Sequence, residues 1–279
     1  MTKPKIIFFG NGLLADTALK VLNNTCEIVF HARTKEDLEE VKKLKSADKE
    51  GELHGVLASF GVIIKQDVLD LFEPEGILNI HPSMLPDLRG PSPIESAILR
   101  GDSKFGVSVM KLAPAMDAGP IYFQQIIDLP LVNPYFASPL EKSNIYDSTA
   151  VAGAEWIAEH LSENNLPNYT EQDESQATFC QKLDKSMSII NPEKETSAEI
   201  LRKIIALSGW PKTKYEFLGH ECIIHAAHLG DGPKLDQDLP EYEELSLKCK
   251  DGKTIYIDSL QPAGKKTMDA KSFLNGYRR

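Results

Sequence analysis

Three polar side chains between residues 77 and 119 are of the types that stabilise an oxyanion, move a proton and orient a charged partner. Asn79 and His81 stand at alternate positions of the run Ile77-Leu78-Asn79-Ile80-His81. A period of two places both side chains on the same face of a strand end. Asp117 lies in a loop that follows a second strand-like run, residues 105–112. A catalytic group of these three residues is therefore geometrically possible.

The elements that would position these residues alternate between strand and helix. The apolar run at residues 6–9 is typical of a strand covered on both faces. A β-α-β-α rhythm predicts a Rossmann-like, mainly parallel sheet whose ligands lie beyond the carboxyl ends of the strands. Asn79 and His81 occupy such an end. The predicted strands are 5–9, 27–30, 56–58, 77–80, 107–110 and 121–127, and the predicted helices include 13–22, 93–99 and 143–161.

The second half of the chain has a different pattern. A polar stretch at residues 162–176 lacks apolar periodicity, which predicts a linker. After a helix at 197–207, short β-rich runs begin at Cys222 and are separated by turns rich in Gly and Asp. This pattern is typical of a small OB-like β-barrel. We therefore predict an α/β domain at 1–166, a linker at 167–187 and a C-terminal β-barrel domain at 188–279.

Composition describes a soluble globular protein. The chain has 279 residues, of which 42% are hydrophobic, and its mean hydropathy is −0.26. No apolar run approaches a membrane span, and the run near the N-terminus is too short for a signal peptide, so we expect a cytoplasmic protein without membrane contact. The four cysteines form no C-x-x-C pair, and no metal site is predicted.

The net charge of −10 argues against generic nucleic-acid binding, but the charge is unevenly distributed. Before Ser188 there are 17 basic and 27 acidic residues, and from Ser188 onward there are 14 of each. The last 21 residues contain five basic residues and one acidic residue, Asp269. A small basic surface is therefore possible at the C-terminus.

Two stretches carry a resemblance to a known family. Residues 79–86, Asn-Ile-His-Pro-Ser-Met-Leu-Pro, followed by Arg89-Gly90 and Asp117-Ala118-Gly119-Pro120, resemble the folate-dependent formyltransferases. Residues 259–268, Ser-Leu-Gln-Pro-Ala-Gly-Lys-Lys-Thr-Met, and 273–276, Phe-Leu-Asn-Gly, resemble the C-terminal domain of the family members that act on methionyl-tRNA. The first match implies the chemistry and the second the substrate.

The resemblance implies transfer of a formyl group from 10-formyltetrahydrofolate to the α-amine of methionine on initiator methionyl-tRNA, for translation initiation, without a metal. Asn79 would donate hydrogen bonds to the developing oxyanion. His81 would take the proton from the attacking amine, or donate to the oxyanion if protonated. Asp117 would orient the imidazole and stabilise its charged form, as an aspartate does in serine hydrolases.

The resemblance also implies where the substrates bind. Folate would lie along Ser83, Met84, Leu85 and Pro86, with Phe60 adding apolar surface at the neighbouring strand end. The candidate tRNA contacts are Lys265, Lys266 and Arg33. We expect a monomer.

One difference from the family leaves two amines as candidate acceptors of the formyl group. Members that act on tRNA commonly carry a long basic, Gly-rich insertion after the second strand. Here Ala32-Arg33-Thr34 passes straight into a helix, which Thr34 and Asp37 would open as a capping box. Either other groups bind the acceptor stem of the tRNA, or the amine that accepts the formyl group is a different one, such as that of a sugar nucleotide.

Two further classes are weighed against formyl transfer. Residues 10–15, Gly-Asn-Gly-Leu-Leu-Ala, fit the dinucleotide fingerprint after a strand, which would suit a nucleotide-dependent oxidoreductase. The second strand ends at His31-Ala32-Arg33, however, without the acidic residue that holds a ribose. A catalytically silent RNA-binding module is disfavoured by the presence of Asn79, His81 and Asp117 together.

Overall fold

The computed structural model describes residues 3–127, 135–163, 165–230 and 240–278. These residues form two compact units. The first contains the described residues within 1–94, 104–129 and 144–180, and the second those within 95–103, 130–143 and 181–279. The division into contiguous domains at 166 and 188 stays a prediction. No helix in the described part of the chain combines the length and the apolar character that crossing a membrane requires.

The first unit is built on a six-stranded sheet. Its strand order is β2-β1-β3-β4-β5-β6. The first four strands are parallel to their neighbours, and β5 and β6 are antiparallel. The mainly parallel sheet that the sequence predicts is therefore confirmed. The strands are β1 (Lys5–Phe9), β2 (Glu27–Ala32), β3 (Leu53–Leu57), β4 (Ile77–His81), β5 (Phe105–Lys111) and β6 (Ile121–Ile127).

Hydrophobic clusters cover both faces of this sheet. Ile6 and Phe8 of β1 pack in one cluster, and Ile7 and Phe9 in the other, as alternation along a strand requires. All four side chains are fully buried, which explains the continuous apolar run. The helices that precede the C-terminal half are α1 (Leu13–Thr25), α2 (Leu38–Ala47), α3 (Gln66–Leu69), α4 (Pro93–Arg100) and α5 (Pro139–Glu163).

The connection from β2 to α2 is short but differs from the predicted capping box. The Asp37 carboxylate accepts hydrogen bonds from the backbone N–H groups of Arg33 (2.7 Å) and Thr34 (2.8 Å). These bonds close a turn before the helix, and α2 begins only at Leu38, without a side-chain cap. Only one half of the predicted capping box is present: the Asp37 carboxylate accepts from the N–H of Thr34, but the helix begins after Asp37 and has no side-chain cap.

The second unit is antiparallel. The helix α6 (Ser197–Ala206) opens with the capping box of Thr196 and Glu199. The long strands β9 and β11 pair with each other, and each changes its second partner along its length, from β8 to β7 and from β10 to β12. The antiparallel β-strands predicted for the C-terminal part of the chain are therefore confirmed. The remaining elements are β7 (Phe136–Ala137), β8 (Thr213–Phe217), β9 (His220–Leu229), β10 (Ser246–Lys248), β11 (Thr254–Pro262), β12 (Met268–Asp269) and α7 (Ala270–Tyr277).

Candidate active site

The interior strand β4 carries Asn79 and His81, which are 5% and 4% exposed. Asn79 lies between Leu57 of β3 and Met110 of β5, so the backbone is paired on both sides. In the part of the chain that the structure describes, no hydrogen bond joins the Asn79 amide to another residue. A buried amide normally has such a partner. Its NH2 group is therefore free to donate to a ligand.

The His81 ring is held by a backbone carbonyl. Its Nε2 atom lies 2.9 Å from the carbonyl oxygen of Leu88. Because a carbonyl can only accept, Nε2 carries the hydrogen and the neutral ring presents Nδ1 as its basic nitrogen. Nδ1 lies 3.8 Å from Oδ2 of Asp117, which is longer than a hydrogen bond. Leu88 therefore orients the ring, while Asp117 faces the atom that would receive a proton.

The Asp117 carboxylate has its own backbone donor. Oδ2 accepts a hydrogen bond of 2.8 Å from the N–H of Gly90. Asp117 adopts a left-handed backbone conformation with φ of 48°, which a non-glycine residue seldom occupies. The loop that carries it is close-packed, since a Cβ atom on Gly119 would lie 1.9 Å from the carbonyl oxygen of Lys111. The carboxylate is thus held beside His81 by a constrained loop.

The loop predicted to bind folate is shaped by two polar side chains of the neighbouring strands. The hydroxyl of Ser108 donates to the carbonyl of Ser83 (2.7 Å) and accepts from the N–H of Leu85 (3.0 Å). Gln124 donates to the carbonyl of Leu85 (2.7 Å) and to the Ser108 hydroxyl (3.0 Å). The Ser83 hydroxyl donates to the carbonyl of Asp87 (2.6 Å). These bonds fix the loop before any ligand arrives.

The predicted folate residues differ in what they offer a ligand. Leu85 is buried in a cluster with Met110 and Ile121, so it anchors the loop. Met84 and Pro86 are half-buried and present part of their surface. Phe60 is 3% exposed and packs edge-on against Phe9, with 5.6 Å between the ring centroids. Its contact with folate stays a prediction.

Residues 170–180, which we call the strap, contact the active-site loops although the sequence predicts a linker there. Thr170 exchanges two backbone hydrogen bonds of 2.8 Å with Ile121. The N–H of Arg89 donates to Thr178 (2.9 Å), and the carbonyl of Arg89 accepts from Cys180 (2.8 Å). The polar side chains that suggest a linker are hydrogen-bonding partners of the loops, which explains the difference.

Arg89 is the buried charge at the centre of these contacts. Its side chain is 2% exposed, and its guanidinium donates to Gln172 and to Glu174. The guanidinium holds the pKa of the Glu174 carboxyl below its usual value. The sequence indicates Arg89 only as part of a motif, and Ser108, Gln124, Gln172 and Glu174 were not predicted from it. The available signal was a polar residue within the apolar run of β5, at Ser108.

The candidate tRNA contacts belong to different units. Arg33 is exposed in the first unit, and its guanidinium lies 3.3 Å from Nδ1 of His31. Lys265 and Lys266 are exposed in the turn between β11 and β12 of the second unit. Gln261 holds this turn by donating to the carbonyl of Lys265 (2.7 Å). In the described residues, no cluster of three His, Cys, Asp or Glu side chains could hold a metal ion.

Two protein-family models match consecutive parts of the chain. A formyl transferase family model matches residues 14–133, and the model of the formyl transferase C-terminal domain matches residues 182–278. A methionyl-tRNA formyltransferase from Borrelia hermsii is 35% identical over 228 residues, which is 79% of this chain and 71% of that protein. The chain belongs to the formyltransferase family. The resemblance seen in the sequence is confirmed.

Solved structures show the same fold at lower identity. HypX from Aquifex aeolicus, in complex with tetrahydrofolic acid, has a TM-score of 0.68 and 18% identity. That match covers 99% of this formyltransferase but only 47% of the HypX chain. Methionyl-tRNA formyltransferase from Clostridium thermocellum has a TM-score of 0.62 and 22% identity, covering 83% of this chain and 96% of the other.

Proposed function

We propose that this formyltransferase moves the formyl group of 10-formyltetrahydrofolate onto the α-amine of methionine on initiator methionyl-tRNA, for translation initiation. The observation that carries the proposal is that the buried His81 faces the partly buried Asp117, with 3.8 Å between Nδ1 and Oδ2, while the Asn79 amide on the same strand has no hydrogen-bond partner among the described residues. The tRNA acceptor is supported by the name of the relative from Borrelia hermsii.

The polar groups of the site suit a folate co-substrate. 10-Formyltetrahydrofolate would supply an electrophilic formyl carbon bonded to N10. After the amine nitrogen has bonded to this carbon, the carbon–N10 bond would break, and tetrahydrofolate would leave with one proton on N10. Met84 and Pro86 offer partly exposed apolar surface on a loop whose own polar backbone groups are already bonded to Ser108 and Gln124. Such a preformed loop loses little entropy when a ligand binds.

Asn79 would stabilise the transition state. Its NH2 group has no competing partner among the described residues and can donate to the formyl oxygen as negative charge develops there. The side chain is buried, so water competes weakly and the hydrogen bond is electrostatically stronger than in solution.

His81 would act as the general base through Nδ1. The hydrogen bond of Nε2 to Leu88 keeps Nδ1 unprotonated in the neutral ring, so this atom can accept the proton that the attacking amine loses. The imidazolium that forms then lies 3.8 Å from the Asp117 carboxylate. Asp117 would stabilise that charge without leaving its hydrogen bond to Gly90.

The second candidate acceptor is the amine of a sugar nucleotide. Only residues 33–37 connect β2 to α2, so the basic insertion typical of tRNA-acting members is absent from this connection. A tRNA acceptor must then be bound by other groups, for which we propose Arg33, Lys265 and Lys266. We also propose that the protein acts in the cytoplasm as a monomer.

The proposal is tested by incubating the purified protein with a labelled formyl donor and a panel of amines. The panel contains initiator methionyl-tRNA, free methionine and a dTDP-linked amino sugar. We expect label in formylmethionyl-tRNA and kcat/KM at least about a hundredfold lower for the other amines, since they lack the phosphate contacts of tRNA. Preferential formylation of the amino sugar would favour the second candidate, and no transfer to any amine would overturn both.

A further inference from the structure

Gln172 of the strap connects the buried Arg89 to the backbone of the loop that carries Asp117. Its Nε2 atom donates hydrogen bonds to the carbonyls of Asp117 (2.8 Å) and Gly119 (2.7 Å). Its Oε1 atom accepts from Nε (3.0 Å) and from Nη2 (2.8 Å) of Arg89. Both donor hydrogens of the amide and its acceptor oxygen are therefore used.

Arg89 determines which way the Gln172 amide points. A guanidinium offers only N–H donors, so the atom that faces it must be the amide oxygen. The NH2 group is then directed at the two loop carbonyls, which can only accept. Glu174 fixes the guanidinium from its other side, with distances of 2.7 and 2.9 Å to Nη2 and Nη1. Arg89 is 2% exposed, and Arg89, Gln172 and Glu174 all belong to the first unit. Contacts within this unit therefore set the orientation of the Gln172 amide.

The two carbonyls held by Gln172 belong to a loop that would not keep its shape through local preference alone. Asp117 has a φ of 48°, a conformation that costs free energy in a residue with a side chain. Its Oδ2 atom lies 2.8 Å from the N–H of Gly90 and 3.8 Å from Nδ1 of His81. A backbone shift at Asp117 would change both distances, and Coulomb attraction to an imidazolium falls as the distance grows.

We propose that Gln172 is a positioning residue for the formyl-transfer reaction, acting by holding the Asp117 backbone so that the carboxylate faces Nδ1 of His81. The proposal rests on the proposed function of the His81 and Asp117 pair. Among the described residues, no hydrogen bond joins Gln172 to His81, so Gln172 would act through Asp117. The strap, whose polar composition predicts a linker, thus holds the loop that carries Asp117.

The test begins with Gln172→Glu. The new carboxylate can still accept from Arg89, but it has no N–H for the two loop carbonyls and would repel them. Gln176→Glu is the matched control, because Gln176 is exposed on the same strap and its amide bonds only Ser175 in the described structure. We expect Gln172→Glu to lower kcat about tenfold or more, as misplacement of a catalytic group does, with KM for both substrates within about twofold. Gln176→Glu should leave kcat and KM unchanged.

A double-mutant cycle separates positioning from a general structural effect. In the background of Asp117→Asn, Gln172→Glu should lower the single-turnover rate by less than about twofold, because the group it positions is already lost. If Gln172→Glu unfolds the protein at assay temperature, Gln172→Met replaces it in the cycle, since it keeps the length and adds no charge.

The outcomes are distinguishable. An equal loss of rate in both backgrounds, or no loss in the native background, would overturn the role of Gln172 alone. A near-native rate for Asp117→Asn would instead remove the proposed role of Asp117, on which the inference rests.

Discussion

At the scale of single residues, the carbonyl of Leu88 decides which nitrogen of His81 is basic. Nε2 lies 2.9 Å from that oxygen, so Nδ1 is the acceptor in the neutral ring and faces Asp117. The motifs at residues 79–86 and 117–120 contain the three polar side chains proposed for catalysis, so their types and spacing are readable from the sequence. They do not predict Leu88, since a backbone carbonyl is present at every position and carries no sequence signal.

The oxyanion role of Asn79 gives a prediction about its NH2 group. Asn79→Asp keeps the size of the side chain and removes the two N–H donors. We expect kcat to fall about a hundredfold or more, the loss seen when one oxyanion donor is removed. The control is Asn24→Asp, which makes the same chemical change at an exposed residue near the end of α1. Steady-state kinetics with the formyl donor at saturation provides the measurement, and a turnover within about threefold of native would exclude Asn79 as the donor.

At the scale of elements, β4 presents the site and β5 and β6 shape the loop that follows β4. Apolar runs predict β4 and β5 within a few residues, because burial on both faces leaves a clear pattern. The prediction for β6 also matches its observed bounds, although this strand is partly exposed. The strap is different. Its residues bond loops through polar side chains and backbone groups, and such contacts leave a composition that also fits a solvated linker.

Ser108 allows a test of the preformed loop. Ser108→Ala leaves the N–H of Leu85 and the carbonyl of Ser83 with fewer partners, so the loop should loosen. We expect KM for 10-formyltetrahydrofolate to rise about tenfold with a smaller change in kcat. Thr149→Val is the matched control, because among the described residues that buried hydroxyl donates only to carbonyls of its own helix, those of Ile145 and Tyr146. If both variants raise KM equally, the loop contacts of Ser108 do not prepare the folate site.

At the scale of the whole molecule, the two units differ in the functional residues that they carry. The residues proposed for catalysis lie in the first unit, and the densest basic segment of the chain lies in the second. Of the antiparallel strands in the second unit, β9, β10 and β11 correspond to short β-rich runs of the sequence, whereas β8 and β12 are not predicted. The short strand β7, at Phe136–Ala137, is missed because two residues leave no periodicity, yet it pairs with β9.

Two buried thiols in the second unit should make stability fall at alkaline pH. Burial raises the pKa of Cys222 and of Cys249 to about 11, from an ordinary value of 9.0. Folding thus favours the neutral thiols, and this stability is fully present below pH 9.0 and is lost as the pH rises to about 11. A shift of this size corresponds to roughly 2 to 3 kcal/mol for each thiol.

The measurement is the free energy of unfolding from urea titrations at pH 8 and at the alkaline end of this range. The double variant with Cys222→Ala and Cys249→Ala should be less stable than native at pH 8 because of the lost packing, but its stability should fall less as the pH rises. Parallel losses in the two proteins would mean that other groups cause the alkaline decline.

Charge predicts where tRNA binds. The N-terminal part carries the whole net charge of −10 and should repel a polyanion, whereas Lys265 and Lys266 are exposed within a basic segment. Lys265→Ala with Lys266→Ala should raise KM for methionyl-tRNA and reduce the salt dependence by up to about one unit of slope per lost phosphate contact. KM for folate should not change. An unchanged KM for tRNA across a salt series would remove the support for this surface.

The most direct test of the account is the single-turnover rate of formyl transfer to methionyl-tRNA by native protein and by His81→Ala, with the formyl donor saturating. His220→Ala serves as the control, since that imidazole is exposed on β9, outside the site. Loss of the general base should lower the rate about a hundredfold or more, while the affinity for folate stays within about threefold. The control should transfer at the native rate. A His81→Ala variant that formylates methionyl-tRNA at a near-native rate would contradict the account.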